Sequence, residues 1–366
     1  MQKTKFSEFE SLVRVEYIVF GQCNTNCNFC YQKNLNIRKS KLMSYDSIIT
    51  RFGLIEPYLV KNFNENWDGV FFSLLGGELF CWEDSDLVLA YKKIADIILE
   101  LQGKLNKKCM IGLVTNLLYR DTTDLYKTFG YMQSLGLAQP IITSFDFFGR
   151  YNNDFQFEIF KHNIMKLLEA PFYKEYGFVI EMTRTKPMLE TLRGNGYEDK
   201  LEFLDFIYNH PRFSISMANL NYLVSQKKDV QDLILNFDES IECYKLMYQK
   251  YPRLVADLIN LDTKPSFRTC LNRTKFIISD KIYEKPCFYE YYGDVEYSRE
   301  HFRCIGNSKL DILESFIDRY GCEYCEFYTQ CSLDCPMQRN SKASYDKCDI
   351  KEFYKWIKNR SVLCQI

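Results

Sequence analysis

The chain has 366 residues, of which 46% are hydrophobic and 26% are charged, and its formal net charge is −1. This composition is ordinary for a globular protein with a sizeable core, and the length allows about two domains. The near-neutral charge argues against a nucleic-acid partner, and no apolar run reaches the ~20 residues that a membrane span needs, so we expect a cytoplasmic protein.

Short apolar runs alternate with helical patterns through the first two thirds of the chain. The predicted strands cover residues 15–20, 70–74, 109–114, 141–145, 178–182 and 213–217. Each is short and apolar, which is typical of parallel strands buried on both faces. Apolar residues spaced by three and four predict a helix over 87–101 that ends before Gly103, and a second helix over 157–167 that ends before Pro171.

Six strand–helix units predict an α/β fold, in which the parallel sheet of residues 1–220 curls into a partial (β/α)6 TIM-like barrel. This alternation stops after about residue 220. We expect a bridging region over 221–264, a small cysteine-rich domain over 265–350 and a C-terminal segment over 351–366 whose helix covers 351–359. The chain has 15 cysteines, and in a reducing compartment such a number indicates metal binding or catalysis rather than disulfides.

Three closely spaced cysteines, Cys23, Cys27 and Cys30, follow the first predicted strand. Three thiolates can bind three irons of a [4Fe–4S] cluster, which normally takes four protein ligands. No fourth cysteine is adjacent in the sequence, so one iron would stay open. An open iron can bind and activate a small molecule.

Polar residues follow the other predicted strands at the same edge of the sheet. They are Gly76, Gly77 and Glu78 after the second strand, Thr115 and Asn116 after the third, and Ser144, Asp146 and Arg150 around the end of the fourth. In parallel α/β barrels the chemistry collects at this carboxyl edge. Each motif alone has a simpler interpretation, because paired glycines form tight turns and Asn, Ser or Asp often cap the next segment.

The cysteine spacing, with Phe29 before the third cysteine and Tyr31 after it, resembles the radical S-adenosylmethionine (radical SAM) superfamily. The Gly76-Gly77-Glu78 stretch is similar to the GGE motif of that superfamily, and the resemblance covers about residues 14–217. It implies that the three cysteines hold a [4Fe–4S] cluster whose open iron chelates the methionine part of SAM.

The same resemblance implies contacts with the rest of the cofactor. Gly76, Gly77 and Glu78 would bind the methionine ammonium, and Phe29 would lie near the adenine. Asn116 and Ser144 would contact the ribose or the carboxylate. Arg150 would pair with the SAM carboxylate, although its spacing from Ser144 is shorter than the family pattern leads us to expect.

A second cysteine block lies near the C-terminus. Its members are Cys270, Cys287, Cys322, Cys325, Cys331, Cys335 and Cys348. Four of them could form a zinc ribbon. In this order the seven resemble the SPASM domain, which implies two auxiliary [4Fe–4S] clusters.

One auxiliary cluster would be held by Cys322, Cys325, Cys331 and Cys348, and the other by Cys270, Cys287 and Cys335. Either Cys304 completes the second set, or that cluster keeps an open iron that could bind substrate. The sequence departs from the family pattern at Ile282, where a glycine usually stands.

These resemblances imply a radical SAM oxidoreductase that generates a 5′-deoxyadenosyl radical and removes hydrogen from a peptide or protein. Maturation of a ribosomal peptide through an oxidative side-chain cross-link is the leading hypothesis, with flavodoxin or ferredoxin as electron donor. The alternatives are a peptide epimerase, a non-catalytic iron–sulfur or zinc protein, and an anaerobic sulfatase-maturing-type oxidase. The last is disfavoured because Phe288 stands where those enzymes carry an acidic base.

Overall fold

The structure is a computed structural model that describes residues 12–30, 43–61, 67–82, 84–151, 153–219, 228–255, 275–278, 282–284, 321–327 and 348–363. Its strands are β1 (Leu12–Ile18), β2 (Gly69–Leu75), β3 (Lys108–Leu113), β4 (Ile141–Phe145), β5 (Phe178–Arg184), β6 (Phe213–Asn219), β7 (Lys275–Ile278) and β8 (Ile282–Glu284). Its α-helices are α1 (Tyr45–Gly53), α2 (Ile55–Lys61), α3 (Ser85–Leu105), α4 (Thr123–Ser134), α5 (Asp154–Glu169), α6 (Lys186–Arg193), α7 (Glu198–Asn209), α8 (Phe237–Lys250) and α9 (Asp349–Leu363).

Strands β1 to β6 are the six predicted strands, and each lies within a few residues of its predicted bounds. They pair in parallel as β1–β2–β3 and as β4–β5–β6. Two isolated parallel bridges, Ile111 with Ala138 and Val114 with Ile142, connect β3 to β4. The strands therefore follow one another in chain order, and all six carboxyl ends point the same way.

The other edge of β1 is occupied by a strand that the sequence analysis did not predict. β7 pairs in parallel with β1, with Arg14 opposite Lys275 and Tyr17 opposite Ile278. β8 then pairs antiparallel with β7. Because β1 is flanked by β2 and β7, it does not pair with β6, and the sheet does not close through β1 into a full barrel.

The strands are buried on two faces, as their apolar sequences predict. Every residue of β2 is buried. Successive side chains point to opposite faces of a strand, so Phe72 packs in the main core beneath the helices while Phe71 packs in a smaller cluster with Leu12, Met110 and Ile142. The small cluster lies toward the amino ends of the strands, which leaves their carboxyl ends for polar side chains.

Helix ends follow local capping signals, with one correction to the sequence analysis. The prediction that α3 ends before Gly103 is wrong, because α3 runs to Leu105 and ends at Asn106, whose φ of 49° is left-handed. Asn tolerates this conformation better than most residues. α5 ends before Pro171 as predicted, and the predicted C-terminal helix is confirmed as the longer α9.

A buried polar contact connects the carboxyl end of β5 to the start of α9. Nη1 of Arg184 lies 3.3 Å from Oγ of Ser240 in α8, and that hydroxyl lies 2.5 Å from Oδ2 of Asp349. The guanidinium also covers the Tyr244 ring at 3.6 Å. The segment beginning at Cys348 is thereby fixed against the sheet.

None of the helices that the structure describes combines the length and the apolar composition that a membrane crossing requires.

Candidate functional site

The turn after β2 places the loop that carries the three cysteines. The backbone N–H of Gly77 donates to the Phe20 carbonyl at 2.9 Å, and that of Glu78 donates to the Gln22 carbonyl at 2.9 Å. A Cβ at Gly77 would lie only 1.9 Å from the Gln22 carbonyl oxygen, and one at Gly76 would lie 2.4 Å from that of Phe20. Both glycines are therefore required by the close approach of this turn to the chain entering Cys23.

The Thr25 hydroxyl lies within hydrogen-bonding distance of the thiols of both Cys23 and Cys27. Oγ1 of Thr25 lies 3.2 Å from Sγ of Cys23 and 3.5 Å from Sγ of Cys27. The backbone N–H of Cys30 donates to the Cys27 carbonyl at 3.2 Å, which draws the third cysteine back toward the second. Burial raises the pKa of the Cys27 thiol, and the cation of Arg150 acts in the opposite direction.

The donor set suits an iron–sulfur cluster. All three cysteines are free, and thiolates are the usual ligands of such clusters. Within the described parts of the chain, no three Cys, His, Asp or Glu side chains converge on a position that could hold a metal ion. A cluster does not require such convergence, since its cysteines are distributed over several irons. Three thiols in one loop therefore fit a cluster better than a single ion.

Glu78 is buried, and its carboxylate connects the β2 turn to the loop after β3. Oε1 accepts hydrogen bonds from the Phe80 N–H at 3.1 Å and the Thr115 hydroxyl at 2.7 Å. Oε2 accepts from the Asn116 N–H at 2.6 Å. Burial raises the pKa of Glu78 to about 7, although these hydrogen bonds oppose the shift. The predicted contact with the SAM ammonium stays a prediction; the contacts described here are to the chain itself.

Asn116 extends this connection to the cysteine loop. Its Nδ2 lies 2.8 Å from Oδ1 of Asn24 and 3.7 Å from Sγ of Cys23. Its Oδ1 accepts from the Leu118 N–H at 2.8 Å, and Nδ2 of Asn24 donates to the Leu118 carbonyl at 2.7 Å. The structure thus brings the predicted residue Asn116 next to the predicted residue Cys23.

The loop that carries Asn116 has a strained backbone. Leu117 is buried with a φ of 56°, which is unusual for a branched apolar residue. Nδ2 of Asn163 in α5 donates to the carbonyls of Leu117 at 3.0 Å and Tyr119 at 2.7 Å. Sequence analysis missed Asn163. The available signal was its place on the apolar face of α5, one residue before the buried Ile164.

The loop after β4 contacts the cysteine loop from the other side. The backbone N–H of Asn28 donates to the Gly149 carbonyl at 3.0 Å. Gly149 has a φ of 97°, and a Cβ there would lie 3.0 Å from the Phe29 ring. The glycine therefore permits both the left-handed turn and the packing of Phe29 against it.

Arg150 and Asp146 form a buried ion pair next to the cysteines. Nε of Arg150 lies 3.0 Å from Oδ2 of Asp146, and the guanidinium lies 6.0 Å from the Phe29 ring centre. Burial raises the pKa of Asp146 to about 6, against the lowering effect of Arg150. Oδ1 of Asp146 is buried without a hydrogen-bond partner among the residues that the structure describes. The predicted pairing of Arg150 with the SAM carboxylate stays a prediction.

Two further residues complete this edge of the sheet. Ser144 lies in β4 opposite Glu181 of β5, and Asp146 directly follows the end of that strand. Cys81 follows the glycine turn, and burial together with the charges of Glu78 and Cys23 raises the pKa of its thiol.

Part of the C-terminal cysteine block can also be placed. Cys322 starts a short 3₁₀ turn, and the Cys325 N–H donates to the Cys322 carbonyl at 3.0 Å. Cys348 directly precedes α9, and its sulfur accepts from the Lys351 N–H at 3.4 Å. The turn and the helix are adjacent, because the rings of Phe327 and Tyr354 stack at 5.3 Å. The predicted ligands outside the described residues are Cys270, Cys287, Cys304, Cys331 and Cys335.

No protein-family profile matches the chain, and no curated protein sequence matches it. Twelve chains of solved structures do match. One of these is the crystal structure of Streptococcus suis SuiB bound to the precursor peptide SuiA, with 16% identity, coverage of 91% of this chain and 76% of that chain, and a TM-score of 0.47.

Proposed function

We propose that this chain is a radical SAM oxidoreductase that modifies a peptide or protein. The observation that carries the proposal is the packing of the Gly76-Gly77-Glu78 turn on the loop of Cys23, Cys27 and Cys30, at the carboxyl edge of parallel strands. Two motifs that are far apart in the sequence thereby form one site. A structural turn alone would not require three free thiols beside it.

Each residue of the site receives a proposed role. The three cysteines hold a [4Fe–4S] cluster, and the Gly76-Gly77-Glu78 turn receives the methionine ammonium of SAM. Phe29 lies near the adenine, Ser144 contacts the ribose or the carboxylate, and Arg150 pairs with the carboxylate. Asn116 holds the cysteine loop through Asn24. When bound, the cluster and SAM together supply a 5′-deoxyadenosyl radical that can remove a hydrogen atom from an unactivated C–H bond.

The protein's own contribution is to fix the geometry and to exclude water. Glu78 and Asn116 connect three strand ends through buried hydrogen bonds, so that the cysteine loop is placed before any cofactor arrives. Leu79, Leu117 and Leu118, which lie next to Glu78 and Asn116 in the chain, are buried. Buried apolar surroundings protect a reactive species from solvent.

The more specific proposal is that this enzyme matures a ribosomal peptide by forming an oxidative cross-link between side chains. Forming such a bond removes two hydrogens from the peptide: one leaves as an atom with 5′-deoxyadenosine, and the other leaves as a proton and an electron. The C-terminal cysteines Cys322, Cys325, Cys331 and Cys348, and the set Cys270, Cys287 and Cys335, are proposed to hold the two auxiliary clusters that accept this electron. Flavodoxin or ferredoxin is the proposed donor for the first step.

The decisive experiment measures SAM cleavage. The protein is reconstituted with iron and sulfide without oxygen, reduced with dithionite and given SAM, and 5′-deoxyadenosine is quantified. Wild type is expected to form it, and Cys27→Ala is expected to lose it. Cys109→Ala is the matched control, because that thiol is fully buried within β3 and should be dispensable.

Failure of wild type to cleave SAM, with a bound cluster or zinc, would support a non-catalytic metal protein instead. Full activity of Cys27→Ala would contradict the assignment of the triad. Among enzymatic outcomes, a cross-link lowers the peptide mass by two hydrogens, whereas an epimerase leaves the mass unchanged and incorporates deuterium from heavy water.

A further inference from the structure

The amide of Asn116 is oriented by contacts that leave no choice of direction. The Leu118 N–H can only donate, so the Asn116 atom 2.8 Å from it must be the oxygen. The other end of the amide is therefore the NH₂ group, which faces Oδ1 of Asn24 and Sγ of Cys23. An NH₂ group has two hydrogens, and these two acceptors take one each.

The contact with Cys23 has the length expected for a weak hydrogen bond to sulfur. Nδ2 of Asn116 lies 3.7 Å from Sγ, and the larger radius of sulfur makes such a separation a contact. With Oδ1 on Leu118 and both hydrogens engaged, the amide has no donor left for an additional ligand. A SAM contact at Asn116 would therefore require a hydroxyl that donates to the second lone pair of Oδ1.

The backbone around Asn116 is held in place at considerable conformational cost. Leu117 adopts a left-handed φ of 56°, which is unfavourable for any residue that carries a Cβ. Glu78 fixes the loop from the β2 side through the Asn116 N–H, and Asn163 fixes it from α5 through the carbonyls of Leu117 and Tyr119. Two buried side chains thus maintain a strained conformation whose result is to aim one amide at Cys23.

We infer that Asn116 donates a hydrogen bond to the Cys23 thiolate and thereby raises the reduction potential of the cluster held by the triad. Hydrogen bonds to the ligand sulfurs withdraw negative charge from a cluster and favour its reduced state. The proposed reaction needs that reduced state, so this donor would make electron delivery easier. The inference rests on the proposed function, because it requires a cluster at Cys23, Cys27 and Cys30.

The test is a potentiometric titration of the reconstituted protein in the absence of SAM, followed by EPR. The triad cluster is identified as the signal that changes when SAM is added and that is missing in Cys27→Ala. Asn116→Asp keeps an acceptor for Leu118 but removes both donors, and Asn116→Leu removes the donors without adding a charge. Both variants are expected to shift the midpoint potential of this signal to more negative values.

The matched control is Asn106→Ala, which lowers stability at the end of α3 and leaves the Asn116 loop unchanged. Its midpoint potential is expected to equal that of wild type, even though its stability falls. If Asn116→Leu does not retain the cluster, Asn116→Ala replaces it, since it also lacks the donors and introduces no charge.

Three results would overturn the inference. An equal shift in Asn106→Ala would mean that a general loss of stability, and not the loss of the donor, changes the potential. A shift in Asn116→Asp alone would mean that the new charge is responsible. Unchanged potentials in both Asn116 variants, together with weaker SAM binding, would mean that Asn116 contacts SAM instead of tuning the cluster. By contrast, failure of the proposed function would show itself in wild type, as the absence of any SAM-responsive cluster signal.

Discussion

Replacement of Gly77 by alanine is the sharpest test of how the site is assembled. The added methyl carbon would lie 1.9 Å from the Gln22 carbonyl oxygen, 2.3 Å from its carbon and 2.5 Å from the Gly21 carbonyl oxygen. All three atoms belong to the backbone, so no side chain can rotate away. Favourable contacts between non-bonded carbons lie at about 3.5–4.0 Å, so the two chain segments must separate by roughly 1.5 Å.

The energetic consequence can be worked out from the contacts that such a separation breaks. The hydrogen bonds from the Gly77 and Glu78 N–H groups to Phe20 and Gln22, both 2.9 Å long, would be lost. Each of these hydrogen bonds contributes about 1 kcal/mol, and forcing a methyl group into a filled site costs about 1–3 kcal/mol. Gly77→Ala should therefore lower the free energy of unfolding by about 3–5 kcal/mol. The cysteine loop would move with Gln22, and cluster formation should fall with it.

The assay combines urea unfolding of the metal-free protein with iron content and cluster absorbance after reconstitution. Gly130→Ala is the matched control: Gly130 lies inside α4, and a Cβ there meets nothing within 4 Å. It should raise the free energy of unfolding by about 0.5–1 kcal/mol, because alanine favours a helix. A Gly77→Ala protein that is as stable as wild type and binds full iron would refute the reasoning.

Three more predictions concern the buried charges and one helix end. The pKa of Glu78 is about 7 in the folded protein against about 4.3 in an unfolded chain, so the free energy of unfolding of the metal-free protein should fall by roughly 3 kcal/mol as pH rises from about 4 to 7. Urea unfolding at several pH values should show a smaller decline for Glu78→Gln, and an unchanged decline would exclude Glu78 as its source. Arg150→Gln should lower the free energy of unfolding by about 3–5 kcal/mol, because Asp146 is left buried without its partner. The double variant Arg150→Gln/Asp146→Asn should recover part of that loss in the same measurement. Equal stability of the single and double variants would count against the ion pair. Asn106→Ala should lower the free energy of unfolding by about 1 kcal/mol because the φ of this residue is left-handed, whereas Asn106→Gly should leave it unchanged. Thermal unfolding that ranks the two variants in the opposite order would contradict this account of the end of α3.

Much of the fold follows from patterns that are local in the sequence. Six apolar runs correspond to β1 to β6, and the regular spacing of apolar residues identified α3 and α5. The error at Gly103 arose because glycine is a frequent helix terminator, whereas α3 continues past it and ends on Asn106. Local propensity could not decide between the two positions, since packing of the helix on the sheet determines its length.

β7 could not be found from sequence because its partner is distant. A strand of four residues is too short for a periodic signal, and its pairing with Arg14 to Tyr17 of β1 spans most of the chain. Only the tertiary fold makes this segment a strand.

The closeness of the candidate site residues was predictable from the sequence, but their contacts with one another were not. Residue type and position at strand ends identified Cys23, Glu78 and Asn116, and the structure brings these three loops together. What Glu78 and Asn116 contact depends on distances between loops, which no spacing encodes. Asn163 was missed for the same reason, because its partners are backbone carbonyls, which are present at every position of the sequence.

The parallel pairing of β7 with β1 has a consequence for how the chain is made. β1 leaves the ribosome about 260 residues before residues 275–278 do. At typical synthesis rates of about 5–20 residues per second, that edge of β1 waits roughly 15–50 seconds for its β7 partner. An edge strand with unpaired backbone groups can recruit other nascent chains. The yield of folded protein in a cell should therefore depend on what protects this edge during synthesis.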